Sequence, residues 1–207
     1  MGNPVLAIGD KRYSSWSLRP WLALRMAGVA FDEYPIRLRQ PDTRERILAF
    51  SPSGKVPALR LPDGTIMWDS LAICEWAAEQ DGSLLPNHPS TRAICRSVSA
   101  EMHAGFPRLR QEMSMDLLRD EALPEIPEDV AAEIARIQAI WSDCRARFGQ
   151  DGPFLFGRFT IADAMWAPVA TRFTSYRVPL APVPAAYVEA LWALPDMLAW
   201  KADASRE

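Results

Sequence analysis

The chain has 207 residues, 49% of them hydrophobic and 24% charged, with a formal net charge of -3 and three cysteines. That length and apolar content are enough to bury a large core, and they exclude global disorder. Lys and Arg (23) do not outnumber Asp and Glu (26), so no basic excess drives contact with nucleic acid or anionic lipid.

No run of 18 apolar residues occurs, so no membrane span is expected. Cys74, Cys95 and Cys144 are odd in number and lack short spacing. This argues against a disulfide scaffold and for a reducing, cytoplasmic setting. Met1-Gly2-Asn3-Pro4 carries no basic or apolar signal segment, and Leu6 stands where a myristoylation signal needs Ser or Thr.

In chain order, Val5–Ile8 is a short apolar run between Pro4 and Gly9, which predicts a buried strand. A turn over 10–15 follows. From Trp16 the period changes: Leu18, Trp21, Leu22 and Met26 recur at helical spacing up to a stop at Gly28. Phe31–Leu38 predicts a second strand, with Pro35 marking an edge. Thr43–Phe50 predicts a short helix, ended by Ser51-Pro52-Ser53-Gly54. Val56–Leu61 and Thr65–Trp68 flank Pro62-Asp63-Gly64 and predict a hairpin. Ser70–Glu79 predicts a helix with Leu71, Cys74 and Ala78 on one stripe. The order is β-α-β-α-β-β-α.

Beyond this the strand signals stop. Leu84–Pro89 is a proline-bounded connection, which divides the chain into an α/β part (1–83), a linker (84–89) and an all-helical part (90–207). Ile94, Val98, Met102, Phe106, Leu109, Met113 and Leu117 predict one long helix kinked at Pro107. Val130 to Phe148 carries a second long apolar stripe. Thr160–Thr171 and Ala186–Leu194 predict two more helices, with Pro179–Pro184 as a linker between them.

Three features of the first part suggest a ligand site. Tyr13-Ser14-Ser15-Trp16-Ser17 joins the first strand to the first helix, where open α/β sheets bind ligands. Hydroxyls and free backbone N–H groups there suit an anion, although plain N-capping by serine uses the same residues. Val56-Pro57 begins a strand after a Gly54-Lys55 turn and is a candidate cis peptide. A cis bond would turn the Val56 backbone outward toward a peptide ligand, whereas a trans edge proline would do nothing. Asp69-Ser70 precedes the third helix, with Ser70 expected at the N-cap. The pair suits an ammonium and a carboxylate on one carbon, or else it is a doubled cap without a ligand.

Taken together these residues resemble the glutathione transferase family over essentially the whole chain. The likeness includes Gly157-Arg158-Phe159-Thr160-Ile161-Ala162-Asp163, which is similar to the family's helix-capping box. Ser14-Ser15-Trp16-Ser17-Leu18-Arg19 looks most like the serine turn of zeta- and theta-like members. Aligned to the zeta pattern, Ser14 is the catalytic serine. Aligned to theta enzymes through Arg19, it is Ser15. Trp16 stands where zeta and beta enzymes carry cysteine.

The resemblance implies a thioredoxin-like domain followed by an all-helical domain. It implies glutathione as co-substrate without a metal, and a cytoplasmic homodimer. Ser14 or Ser15 would stabilise the glutathione thiolate. Trp16, Gln40, Lys55, Val56, Pro57, Asp69 and Ser70 would bind the tripeptide. Met102, His103, Phe106 and Arg110 would line the pocket for a small hydrophobic electrophile. Residues 1–63 hold ten Lys and Arg against six Asp and Glu, a local balance that suits an anionic tripeptide. An isomerase of the maleylacetoacetate type and a non-catalytic binding module are the alternatives. No G-x-S-x-G, P-loop, C-x-x-C or metal-ligand spacing occurs.

Overall fold

The computed structural model describes residues 2–207, so Met1, the first residue of the N-terminal reading, lies outside the described residues. Four strands form one mixed sheet in the order β2-β1-β3-β4. They are β1 (Val5–Ile8), β2 (Asp32–Pro35), β3 (Ala58–Arg60) and β4 (Ile66–Trp68). β1 is central, parallel to β2 and antiparallel to β3, which is antiparallel to β4. Side chains on a strand alternate faces. Leu6, Ile8 and Leu59 therefore join the main core, while Ala7 and Ala58 face the other way onto Ile36, Ile47 and Phe50.

Helices α1 (Ser15–Met26) and α3 (Ser70–Gln80) cover one face, and α2 (Thr43–Leu48) accompanies the other. β2 is shorter than the apolar run suggested, and it lies at the sheet edge as Pro35 required. The buried face of α3 is Ile73, Cys74, Ala77 and Ala78, with Leu71 only packed at its margin.

The remaining chain is helical: α4 (Pro89–Ala104), α5 (Pro107–Glu112), α6 (Glu128–Phe148), α7 (Ile161–Ser175), α8 (Pro182–Trp192) and α9 (Pro195–Ala204). The expected kinked helix is two separate helices. Phe106 precedes Pro107, where helical backbone is disfavoured, and it takes a left-handed φ of 61°. At Gly105 a Cβ would lie 2.7 Å from the Glu101 carbonyl, so the chain can leave the helix closely there. The apolar stripe continues past α5 as non-helical chain, with Met113, Met115 and Leu117 buried.

The expected linker at Pro179–Pro184 is in part the first turn of α8, because Pro182 occupies a position that needs no N–H. Pro195 starts α9 in the same way, a helix absent from the sequence reading. The core runs unbroken through both parts of the chain.

Helix α7 is mostly apolar and is buried almost all round, with its polar residues Asp163 and Arg172 buried as well. Its N-terminus is fixed by Asp163. One carboxylate oxygen accepts from Thr160 N (2.7 Å) and Thr160 Oγ1 (2.9 Å). The other accepts from Leu155 N (3.1 Å) and Tyr187 Oη (3.0 Å). Asp163→Ala orphans all of these buried donors. Its expected cost is about 3 kcal/mol or more, measured as the shift in urea unfolding free energy.

Candidate functional site

A cleft of about 550 Å³ opens between the sheet domain and α4. Trp16 on α1, Val56 and Pro57 before β3, Trp68, Asp69 and Ser70 at the β4–α3 junction, and His103 on α4 all line it. Ser53 and Lys55 complete the rim. The Val56–Pro57 bond is cis.

Asp69, not Ser70, caps α3. The Asp69 Oδ1 atom accepts from Leu71 N (2.9 Å) and Ala72 N (3.4 Å), and Oδ2 lies 3.3 Å from His103 Nε2. Its φ is 83°, a conformation that costs a non-glycine residue of order 1–3 kcal/mol and clusters at functional sites. With Asp69 as cap, Ser70 begins the helix proper. Its hydroxyl is buried at the cleft wall without a protein partner. The short polar side chain of Asp69 does what was assigned to serine, and this frees Ser70 Oγ for a ligand.

The two serines of the first turn face different neighbours. Ser14 caps α1: its Oγ accepts from Ser17 N at 3.3 Å and lies 2.8 Å from Ser17 Oγ. Ser17 Oγ in turn accepts from Gly9 N at 3.0 Å. Ser15 Oγ accepts from Arg172 Nη2 at 3.2 Å. Ser17 went unassigned, though its spacing of three from a capping serine is a local signal. Arg172 is a lone cation in a buried helix, and nothing in the sequence says which turn it will reach.

Trp16 is 37% exposed and forms part of the cleft wall. Its ring centroid lies 5.4 Å from that of His103, 4.3 Å from the Arg19 guanidinium and 4.7 Å from that of Arg110. Arg19 Nε donates to Met165 O at 3.0 Å. Arg110 donates to the carbonyls of Gly105, Met102 and His103. Arg172 donates to those of Met113 and Pro168. Burial, with Arg110 and Arg172 close by, holds the Arg19 pKa well below its ordinary value. Burial and Arg110 hold that of Arg172 down to about 9.

Of the residues singled out from the sequence, Trp16, Lys55, Val56, Pro57, Asp69, Ser70 and His103 come together. Gln40 lines a neighbouring depression with Tyr13, Leu38 and Arg39. Met102 and Phe106 are buried in the core, Phe106 with its ring centroid 5.5 Å from that of Trp166. Arg110 lies against the Trp16 ring. Among the described residues no group of three His, Cys, Asp or Glu is placed to hold a metal, and no helix is long and apolar enough to cross a membrane.

Residues 13–80 match the family model for the glutathione S-transferase N-terminal domain, and residues 127–200 match that for the C-terminal domain. The chain belongs to the glutathione S-transferase family.

Among curated relatives, it is 32% identical to a maleylacetoacetate isomerase of Pseudomonas aeruginosa over 111 residues, 51% of this chain and 52% of that protein. It is 36% identical to a probable glutathione S-transferase of Zea mays over 140 residues, 63% of this chain and 58% of that one. The chain thus spans about half the length of the curated relatives it matches. A solved glutathione transferase homologue from Burkholderia, with bound glutathione, shares the fold at 22% identity, a TM-score of 0.70 and 99% coverage of both chains. The thioredoxin-like domain followed by a helical domain is the fold of this family.

Cys74, Cys95 and Cys144 are all buried and none lines the cleft. Burial pushes the Cys74 thiol far up, and it pushes those of Cys95 and Cys144 up to about 12. A buried, protonated thiol is inert. The folded protein is therefore expected to yield no thiol to a chromogenic disulfide reagent at pH 8, and three after denaturation.

Proposed function

We propose that this protein binds glutathione in the Trp16–Pro57–Ser70 cleft, stabilises its thiolate and transfers it to a small hydrophobic electrophile. The observation that carries this is the buried, unpartnered Ser70 hydroxyl. It sits beside Asp69 and opposite the N-terminus of α1. In this reading Asp69 and Ser70 hold the γ-glutamyl end and the Val56 backbone pairs with the cysteinyl unit. Lys55 meets the glycyl carboxylate, since Gln40 lies in the neighbouring depression.

Ser14 is the preferred sulfur partner. In this reading Ser17 Oγ, which accepts from Gly9 N, donates its own proton to Ser14 Oγ. Ser14 then keeps its own proton for the thiolate. A free thiol has a pKa of about 8.5, and lowering it by about two units takes roughly 2.7 kcal/mol. One hydroxyl hydrogen bond to an anion and the α1 dipole are together of that order. Ser14 acts as an anion stabiliser, neither nucleophile nor base. The protein works as a homodimer in this reading, which sedimentation checks.

The likeness to the Pseudomonas isomerase supports a second reading, a glutathione-dependent cis–trans isomerase. Trp16 in place of the zeta-type cysteine favours conjugation. The two readings separate by whether glutathione is consumed.

The wild-type protein is expected to be retained on immobilised glutathione and to conjugate an aryl halide. Ser14→Ala should keep retention and lose roughly 10- to 100-fold in kcat/KM, about 1.4–2.7 kcal/mol of transition-state stabilisation. Unchanged turnover in both Ser14→Ala and Ser15→Ala would remove the proposed sulfur site. Retention without any turnover would favour a binding module.

A further inference from the structure

Three guanidinium groups from three elements converge beneath the first turn. Arg19 (α1) and Arg110 (α5) lie against the Trp16 ring, at 4.3 Å and 4.7 Å from its centroid. Arg172 (α7) reaches Ser15, the residue before Trp16. Arg19 is fully buried and Arg172 nearly so.

None of the three pairs with an acid. Several other arginines reach carboxylates, as Arg12 does Asp116, Arg96 does Glu75 and Arg136 does Glu101, while Arg92 and Arg145 also meet carbonyls but outside this cluster. Here the partners are backbone carbonyls and one hydroxyl. The acids that face the cluster are Asp69 and Glu133. Asp69 is occupied by the α3 N-terminus and His103, and Glu133 accepts from the backbone N–H groups of Arg108 and Leu109. Both Nη atoms of Arg19 and Nη1 of Arg110 are buried without a protein partner. Unpaired buried cations that also repel one another are costly. Planar forks with free N–H groups fit a carboxylate through two parallel bonds.

We propose that Arg19, Arg110 and Arg172 form an anion subsite, covered by Trp16, that takes the carboxylate of the second substrate. The electrophile is then an organic acid: an apolar body in the cleft with an anionic end among the guanidinium groups. Rotation of the partly exposed Trp16 indole joins the cluster to the cleft. That the acid is a co-substrate rests on the glutathione reading above. That the cluster binds a carboxylate does not, and it is tested without glutathione.

The probes are trans-cinnamate and its methyl ester, titrated calorimetrically into the full-length protein. The wild type is expected to bind cinnamate at least tenfold more tightly than the ester. Arg110→Gln and Arg172→Gln should bring the two within about twofold, and Arg110→Lys should keep part of the preference. Phenylglyoxal labelling of the wild type gives a measurement that no misfolded variant can obscure. Cinnamate should protect the Arg110 peptide, and the ester should not. Equal affinity of the wild type for acid and ester overturns the subsite. So does a tenfold preference that survives in both glutamine variants, or equal protection by the two probes. Glutathione retention is scored separately. A protein that prefers cinnamate but is not retained keeps the subsite and loses the glutathione reading, and the converse result does the reverse.

Discussion

Helix α1 is the part on which the rest of the structure depends, because it is packed from both sides. Leu18, Leu22, Ala23 and Leu24 are fully buried. α3 lies against the helix on the sheet side, and α7 lies against it from the helical domain. Arg19 adds a direct tie by donating to the Met165 carbonyl in α7. A helix held this way cannot shift without opening the core shared by both domains. Its first turn, with Trp16 at the cleft wall, is therefore positioned by packing rather than by a loop. The Asp163 cap works toward the same end, since it fixes where α7 begins.

The cleft shows how a few short side chains serve two purposes. Asp69 satisfies the α3 N-terminus through one oxygen and meets His103 through the other. This single residue thus ties β4, α3 and α4 together at the cleft wall. Because Asp69 does the capping, Ser70 keeps a free hydroxyl. In the first turn Ser17 accepts the Gly9 N–H and its hydroxyl contacts that of Ser14. The overall negative charge of the chain obscures a local excess of cations around this turn. Three of them are arginines that meet only in the folded protein.

Much of the fold was legible because it rests on local periodicity. The β-α-β-α-β-β-α order follows from alternation and apolar spacing, which short strands and amphipathic helices cannot avoid showing. Several of the differences lie at prolines. Pro182 and Pro195 start helices, since a first-turn residue needs no N–H. Pro107 separates two helices, because Phe106 before it leaves helical space altogether. At the site, Val56-Pro57 and Asp69-Ser70 were visible as local pairs, although the cap belonged to Asp69.

The sequence by itself determined the class of architecture, the positions of the Val56-Pro57 and Asp69-Ser70 pairs and the absence of a cysteine from the serine turn. These depend on neighbours within a few residues. Only the tertiary structure decided which side chains share one site. Met102 and Phe106 were assigned to the pocket together with His103 and Arg110, yet they are buried in the core while His103 faces the cleft. Arg172 meets Ser15 across 157 positions. Helical spacing specifies a face, but which neighbour that face meets is set by the packing of α4, α5 and α7 around α1. No local pattern encodes that arrangement.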